Sequence, residues 1–167
     1  MPFHKHIKKS ITCFWAILLF AGVTIFAACD ANRVFEQTQN INNTAWLYEQ
    51  IPQFKASIAD TNQLYNVDLQ IRHNASYLYS NIYLKLTTTY PSGKKSTSQI
   101  NLVLAEKDGK WKGSGMGSTY TLPFNIQQNA KFPEKGDYTF AIEQDMRDNP
   151  LAGVMAVGIR IEKAVNK

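Results

Sequence analysis

The stretch Leu64-Tyr65-Asn66-Val67-Asp68-Leu69-Gln70-Ile71-Arg72 alternates strictly from Tyr65 onward. Tyr65, Val67, Leu69 and Ile71 are apolar; Asn66, Asp68, Gln70 and Arg72 are polar. Successive side chains of a β-strand point to opposite faces, so a period of two specifies a strand with one face buried and one in water. A helix would send the same apolar residues to opposite sides of its cylinder. The period recurs along the chain. Ile82, Leu84 and Leu86 share a face of Asn81–Tyr90, and Ile100, Leu102 and Leu104 share a face of Ser98–Leu104. Tyr138, Phe140 and Ile142 do so in Gly136–Asp145, as do Val157, Ile159 and Ile161 in Val157–Lys163. Gln53–Ala59 and Leu122–Gln128 carry the pattern more faintly.

Turn formers separate these runs: Tyr90-Pro91-Ser92-Gly93-Lys94, Lys107-Asp108-Gly109-Lys110 and Phe132-Pro133-Glu134-Lys135-Gly136. No twelve-residue window forms an amphipathic helix, although Glu143–Leu151 has room for one short turn. The chain is therefore expected to be all-β, an antiparallel β-sandwich of about 7–9 strands. Patterning leaves a jelly-roll-like and an immunoglobulin-like strand order both open.

The N-terminus departs from this pattern. Lys5, Lys8 and Lys9 precede residues 11–28 (ITCFWAILLFAGVTIFAA), which carry no charge, and Cys29 and Asp30 follow. A basic segment, an apolar segment and small residues at a boundary make an export signal. A transmembrane anchor and an ordinary cleaved signal share the first two parts. The run ends in Phe26-Ala27-Ala28-Cys29, however, and polar chain follows at once. That is the arrangement of a bacterial lipobox, with Phe26 where Leu is commonest. The small residues fit the signal peptidase, the Cys29 thiol accepts diacylglycerol, and the new amino group is acylated, palmitate being a typical chain.

Processing changes the composition. The chain of 167 residues has 18 Lys+Arg and 13 Asp+Glu, a net charge of +5; losing residues 1–28 with their three lysines leaves 139 residues at +2. The basic balance is thus largely export signal, and nucleic-acid binding loses its support. Two of the three histidines and one of the two cysteines also leave. Disulfides, Cys-His catalysis and Cys/His zinc sites go with them. A hydrophobic content of 44% argues against a disordered chain. The polar stretch 30–45 reads as a tether leading into a first short strand. The expected organisation is a lipoprotein signal peptide at 1–28, a lipid-anchored tether with that strand at 29–45, and one β-sandwich at 46–167.

Few residues suggest chemistry. His73, between Arg72 and Asn74, reads as a surface or loop histidine. Glu143 and Asp145 share a strand face roughly 7 Å apart, a spacing open to glycosidase-like acid/base work. Asp145, Asp148 and Asn149 offer hard oxygens that suit calcium. A polar strand end running into a loop accounts for all of these more simply. Gly113-Ser114-Gly115-Met116-Gly117 lacks both the dinucleotide-binding and the nucleophile-elbow spacing, and reads as a strand or bulge where backbones approach closely. Tyr77, Tyr79, Tyr83 and Tyr90 divide between core and a surface able to stack on sugar or peptide. Trp111 among Lys107, Lys110 and Lys112 is the weak nucleic-acid motif set aside above.

Taken in order, certain segments resemble the gliding-motility lipoprotein GldH family of Bacteroidetes. They are Arg33-Val34-Phe35-Glu36, Ser80-Asn81-Ile82-Tyr83-Leu84, Pro91-Ser92-Gly93-Lys94, and Leu104 to Trp111 leading into Gly113, Gly115 and Gly117. The most telling is Phe132-Pro133-x-x-Gly136-x-Tyr138-x-Phe140-x-Ile142-Glu143-Gln144-x-Met146-Arg147, followed by Val157-Gly158-Ile159-Arg160-Ile161-Glu162. Leu78 stands where the family pattern has proline. The resemblance implies a cell-envelope lipoprotein required for gliding, associated with the machinery that moves and secretes surface adhesins. It implies no enzymatic activity and no catalytic residues, and the residue reading adds an expectation of no metal and no cofactor; the one position the resemblance carries over is Cys29, the acylation site. Expected partners are the membrane, through the acyl chains on Cys29, and other gliding or secretion envelope proteins, with no nucleic acid. The outer membrane facing the periplasm is the expected location, because no acidic run follows Cys29 to direct the chain outward. The competing readings are a surface carbohydrate-binding sandwich, with exposed tyrosines and Trp111 stacking on sugars, and a hydrolase using Glu143 and Asp145.

Overall fold

A computed structural model describes residues 30–165. The leader and Cys29 lie outside the described residues. The strands are β1 (Arg33–Asn40), β2 (Ala45–Trp46), β3 (Gln53–Ile58), β4 (Leu64–Asn74), β5 (Asn81–Thr89), β6 (Lys95–Val103), β7 (Ser114–Met116), β8 (Thr119–Lys131), β9 (Gly136–Gln144), β10 (Leu151–Ala152) and β11 (Val154–Lys163). Among the described residues the only helical element is a single 3-10 turn at Asn42–Thr44. The chain is all-β, as the alternation requires.

Two antiparallel sheets form the sandwich, ordered β1-β11-β4-β8-β7 and β3-β9-β5-β6, with β10 and β2 as a small ribbon. Eight strands are six residues or longer. Along the chain the first of these pairs with the eighth (β1 with β11), the second with the seventh (β3 with β9), the third with the sixth (β4 with β8) and the fourth with the fifth (β5 with β6). The ladders β11–β4 and β9–β5 join these pairs into sheets. One long hairpin rolled up in this way is a jelly roll; an immunoglobulin order, in which the first two strands share a sheet, does not fit.

The rolled topology gathers the connections at two ends. At one, which we call the entry end, lie the start of β1, the finish of β11 and the turns at 59–63, 90–94 and 132–135. Ser92 there donates from its amide and its hydroxyl to the Glu134 carboxylate, at 2.8 and 2.9 Å. The far end holds the connections at 41–52, 75–80, 104–113 and 145–150.

The apolar faces read from the sequence meet between the sheets. Val67, Leu69, Ile71, Ile159 and Ile161 face Phe54, Ile82, Leu84, Tyr138 and Ile142 in one continuous buried core. Phe132 ties the two layers at the entry end, its ring 5.3 Å from that of Tyr65 and 4.9 Å from that of Tyr138. At the predicted close approach, Gly115 lies against the Thr119 backbone, leaving no room for a Cβ. Within the stretch expected to hold a tether and a first short strand, residues 33–40 form the full strand β1. It is a sheet edge with mostly exposed side chains, so it carries no apolar alternation to announce it.

His73 corrects a sequence expectation. It is not at the surface but 0% exposed, on the inward face of β4 in register with Tyr65, Val67, Leu69 and Ile71. Trp111, Tyr120 and Tyr77 surround it, with ring centroids 4.5, 5.4 and 5.6 Å away. Its Nδ1 lies 3.1 Å from the Asn74 carbonyl oxygen, while its Nε2 has no partner among the described residues. Trp111 is committed to the same cluster, so it is not an exposed stacking residue.

Candidate functional site

The far end is built around the connection 145–150. The β5–β9 register sets Leu84 opposite Gln144, which brings Asn81 and Tyr83 beside Asp145 and Met146. The Asp145 amide donates to the Tyr83 carbonyl at 2.8 Å, and the Tyr83 amide points to the Met146 sulfur at 3.2 Å. The buried Gln144 then shapes the loop from beneath. Its Nε2 donates to the Asp148 carbonyl at 2.9 Å, and its Oε1 accepts the Met146 amide at 2.9 Å. A buried amide satisfied in this way holds a loop in one conformation.

Two tyrosines fasten the loop from the sides. The Tyr48 hydroxyl donates to the Met146 carbonyl at 2.7 Å, while the Tyr48 amide donates to Asn149 Oδ1 at 3.0 Å. The Tyr79 hydroxyl donates to Asp148 Oδ2 at 2.6 Å, and this bond holds its pKa above the ordinary tyrosine value. Beneath, burial pushes the Tyr77 hydroxyl pKa well up; it donates to the Asn81 carbonyl at 2.8 Å.

The product is a shallow depression of about 370 Å³ lined by Tyr79, Asn81, Tyr83, Asp145, Met146 and Arg147. Large apolar side chains stand exposed around it: Leu78 is 79% and Tyr83 40% exposed, with Tyr48 and Val103 similarly open. Tyrosine, methionine and arginine on a rigid base are the side chains enriched at protein–protein interfaces. The sequence reading left Tyr77, Tyr79, Tyr83 and Tyr90 divided between core and surface; the structure places Tyr79 and Tyr83 here, sends Tyr77 to the core and packs Tyr90 against Tyr138 at the entry end. It had no signal for Tyr48, which arrives from a distant connection.

The other predicted groups are engaged elsewhere. Glu143 pairs with Lys85 across the β5–β9 ladder at 2.9 Å, and Asp145 accepts from Gln99 Nε2 at 2.5 Å. These are cross-strand pairs on a solvated face. Asp148 and Asn149 receive Tyr79 and Tyr48. Among the described residues no group of three His, Cys, Asp or Glu is placed to hold a metal ion. A larger cleft of about 540 Å³ opens between β6 and β8, floored by Leu86, Phe132 and Phe140 and edged by Ser96, Ser98 and Gln127. It lies where the two sheets part at their free edges, away from the far-end loops.

The model of the family described as GldH lipoprotein matches residues 33–161. The chain belongs to the GldH lipoprotein family. The match begins at the first residue of β1 and ends within β11, so the family's shared part is the jelly roll itself. Two relatives agree over nearly their whole length. The gliding motility lipoprotein GldH homolog of Christiangramia forsetii is 29% identical over 162 residues, covering 93% of this chain and 99% of its own. The gliding motility lipoprotein GldH of Flavobacterium johnsoniae is 29% identical over 154 residues, covering 88% and 94%. Among solved structures, a carbohydrate-binding module specific for non-crystalline cellulose is similar at TM-score 0.38 and 8% identity, covering 76% of this chain and 70% of that one. That likeness is too loose to carry an argument.

Proposed function

We propose that this GldH-family chain is a non-catalytic, lipid-anchored envelope protein required for gliding motility, working as a component or accessory of the gliding and adhesin-secretion machinery. Membership of the family across the whole sandwich carries the reading, since both relatives are named gliding motility lipoproteins. In this reading residues 1–28 are a lipoprotein signal peptide, Cys29 bears the acyl chains, and the protein sits on the outer membrane facing the periplasm. The far-end surface of Tyr79, Tyr83, Met146 and Arg147 is the face offered to another envelope protein. It is rigidly supported and sets aromatic and thioether side chains beside the charges of Asp145 and Arg147, and it lies at the end of the sandwich away from the start of β1.

A clean deletion tests the process: it abolishes colony spreading and surface display of adhesins, and the full-length gene restores both. Intact spreading and display in the deletion strain overturn the assignment. Affinity capture from crosslinked envelopes identifies the partner, and protease shaving of fractionated cells reports the membrane and its side.

A further inference from the structure

The entry end carries a concentration of lysines that its own carboxylates do not match. Lys94 and Lys95 lie at the turn into β6, Lys131 and Lys135 flank the β8–β9 turn, and Lys163 closes β11. All five are exposed, and none forms an ion pair among the described residues. The acidic groups nearby are already committed. Asp137 pairs with Lys55, and Glu162 with Arg160. Glu134 accepts from Ser92, and Asp60 from the Asn62 amide. Even with Asp30 counted beside Glu134 and Asp60, the five lysines are in excess at this end, whereas at the far end Lys107, Lys110, Lys112 and Arg147 are offset by Glu49, Glu106, Asp108, Asp145 and Asp148.

The position of β1 gives this charge a direction. The sandwich is already joined at Asn32, whose carbonyl accepts the Lys163 amide at 2.8 Å. Cys29 stands three residues earlier in the sequence, a reach of about 10 Å when fully extended. A chain anchored at Cys29 has no long spacer, because residues 33–40 are committed to β1. Such an anchor keeps the start of β1 near the lipid surface, and the lysines share that end of the sandwich; their charges act over about one Debye length, ~10 Å at 0.1 M salt.

We infer that the entry end of the sandwich is a membrane-docking surface, with Lys94, Lys95, Lys131, Lys135 and Lys163 seated on anionic phospholipid headgroups. The orientation rests on the lipid anchor at Cys29 proposed above. Docking fixes the sandwich upright and points Tyr83 and Arg147 away from the membrane.

The test uses the mature chain, residues 29–167, with Cys29→Ala and no acyl group, so that the lysines act alone. Co-flotation is measured with vesicles of phosphatidylcholine alone and with vesicles containing phosphatidylglycerol, at low salt. The expected result is at least ~10-fold stronger partitioning to the anionic vesicles, falling about fivefold for each of Lys94→Gln, Lys95→Gln, Lys131→Gln and Lys135→Gln. The far-end pair Lys107→Gln and Lys110→Gln leaves it unchanged. Equal partitioning to both vesicle types overturns the docking surface, as does an equal loss from the far-end pair. Intact mass of the native N-terminal peptide reports acylation of Cys29 separately, so a failed anchor and a failed docking surface give different results.

Discussion

The Tyr79 hydroxyl reaches Asp148, 69 residues away, with a hydrogen bond of 2.6 Å. This charge-assisted bond makes the connections 75–80 and 145–150 one surface. Removing the hydroxyl with Tyr79→Phe leaves the strands intact and frees one side of the loop. Hydrogen exchange at the amides of residues 145–149 is expected to quicken, the Met146 amide least because Gln144 still holds it, while β4 and β11 stay protected. Unchanged exchange would show that Gln144 and Tyr48 suffice to hold the loop.

His73 predicts a pH dependence. Burial among aromatic rings lowers its folded pKa, only partly countered by the Asn74 carbonyl. The unfolded histidine titrates near ~6.5, so below that pH the unfolded state binds more protons than the folded one. The stability held by keeping the ring neutral is complete above ~6.5 and is lost as pH falls toward the folded pKa. Urea midpoints should drop between pH 7 and pH 5, and His73→Phe should flatten that part of the profile. At pH 7 this variant should change stability by less than ~1 kcal/mol, since losing one hydrogen bond offsets removal of the unpaired Nε2.

Gly153 and Gly109 share a left-handed backbone, with φ of +86° and +85°, but differ in their surroundings. A Cβ on Gly153 would strike the Tyr77 backbone, whereas one on Gly109 meets nothing. Gly153 also donates to the Thr44 carbonyl at 2.8 Å and accepts the Asn74 amide at 2.9 Å, joining the 3-10 turn to the end of β4. Gly109→Ala should cost only the left-handed conformation, about 1 kcal/mol, and Gly153→Ala clearly more, ~2 kcal/mol or above. Equal urea midpoints for the two variants would contradict the crowding at Gly153.

Residues 64–72 were legible because β4 lies in mid-sheet with one face buried and one wet. β8 was fainter for two reasons: Phe124 and Ile126 are only half-buried, Ile126 at the open cleft, and a register shift opposite Val67 breaks the alternation. The extent of β1 was illegible, beyond a first short strand after the tether, because an edge strand with exposed side chains has no apolar face to display. His73 was misread from its polar neighbours, although it keeps the parity of Val67, Leu69 and Ile71, and that parity was the better signal. The far-end surface was hidden for a deeper reason: Tyr48, Tyr83 and Met146 meet only through the β5–β9 register and a loop about a hundred residues away, which no local pattern encodes.

The proposed membrane attachment through Cys29 gives a fourth expectation. A single acyl chain binds reversibly, whereas two or three anchor firmly, each buried methylene contributing ~0.8 kcal/mol. The wild-type chain should remain with membranes after a high-salt wash. A chain given an ordinary cleavable leader and Cys29→Ala should appear in the soluble fraction after the same wash, since lysine contacts alone are screened by salt.

The far-end surface makes the most direct prediction about function. Tyr83 and Arg147 are exposed, and neither side chain supports the loop: Gln144, Tyr48 and Tyr79 do that. Substituting both with alanine should therefore leave the thermal midpoint nearly unchanged, as surface changes usually stay within about 0.5 kcal/mol. At the centre of an interface the same residue types often contribute 2 kcal/mol or more each, about thirtyfold in affinity. The double variant should accumulate to wild-type levels in the envelope, fail to capture its crosslinked partner and fail to restore spreading to a deletion strain. Full restoration by this variant would move the partner face elsewhere, and the cleft between β6 and β8 would be the next surface to alter, through Ser98→Arg at its rim.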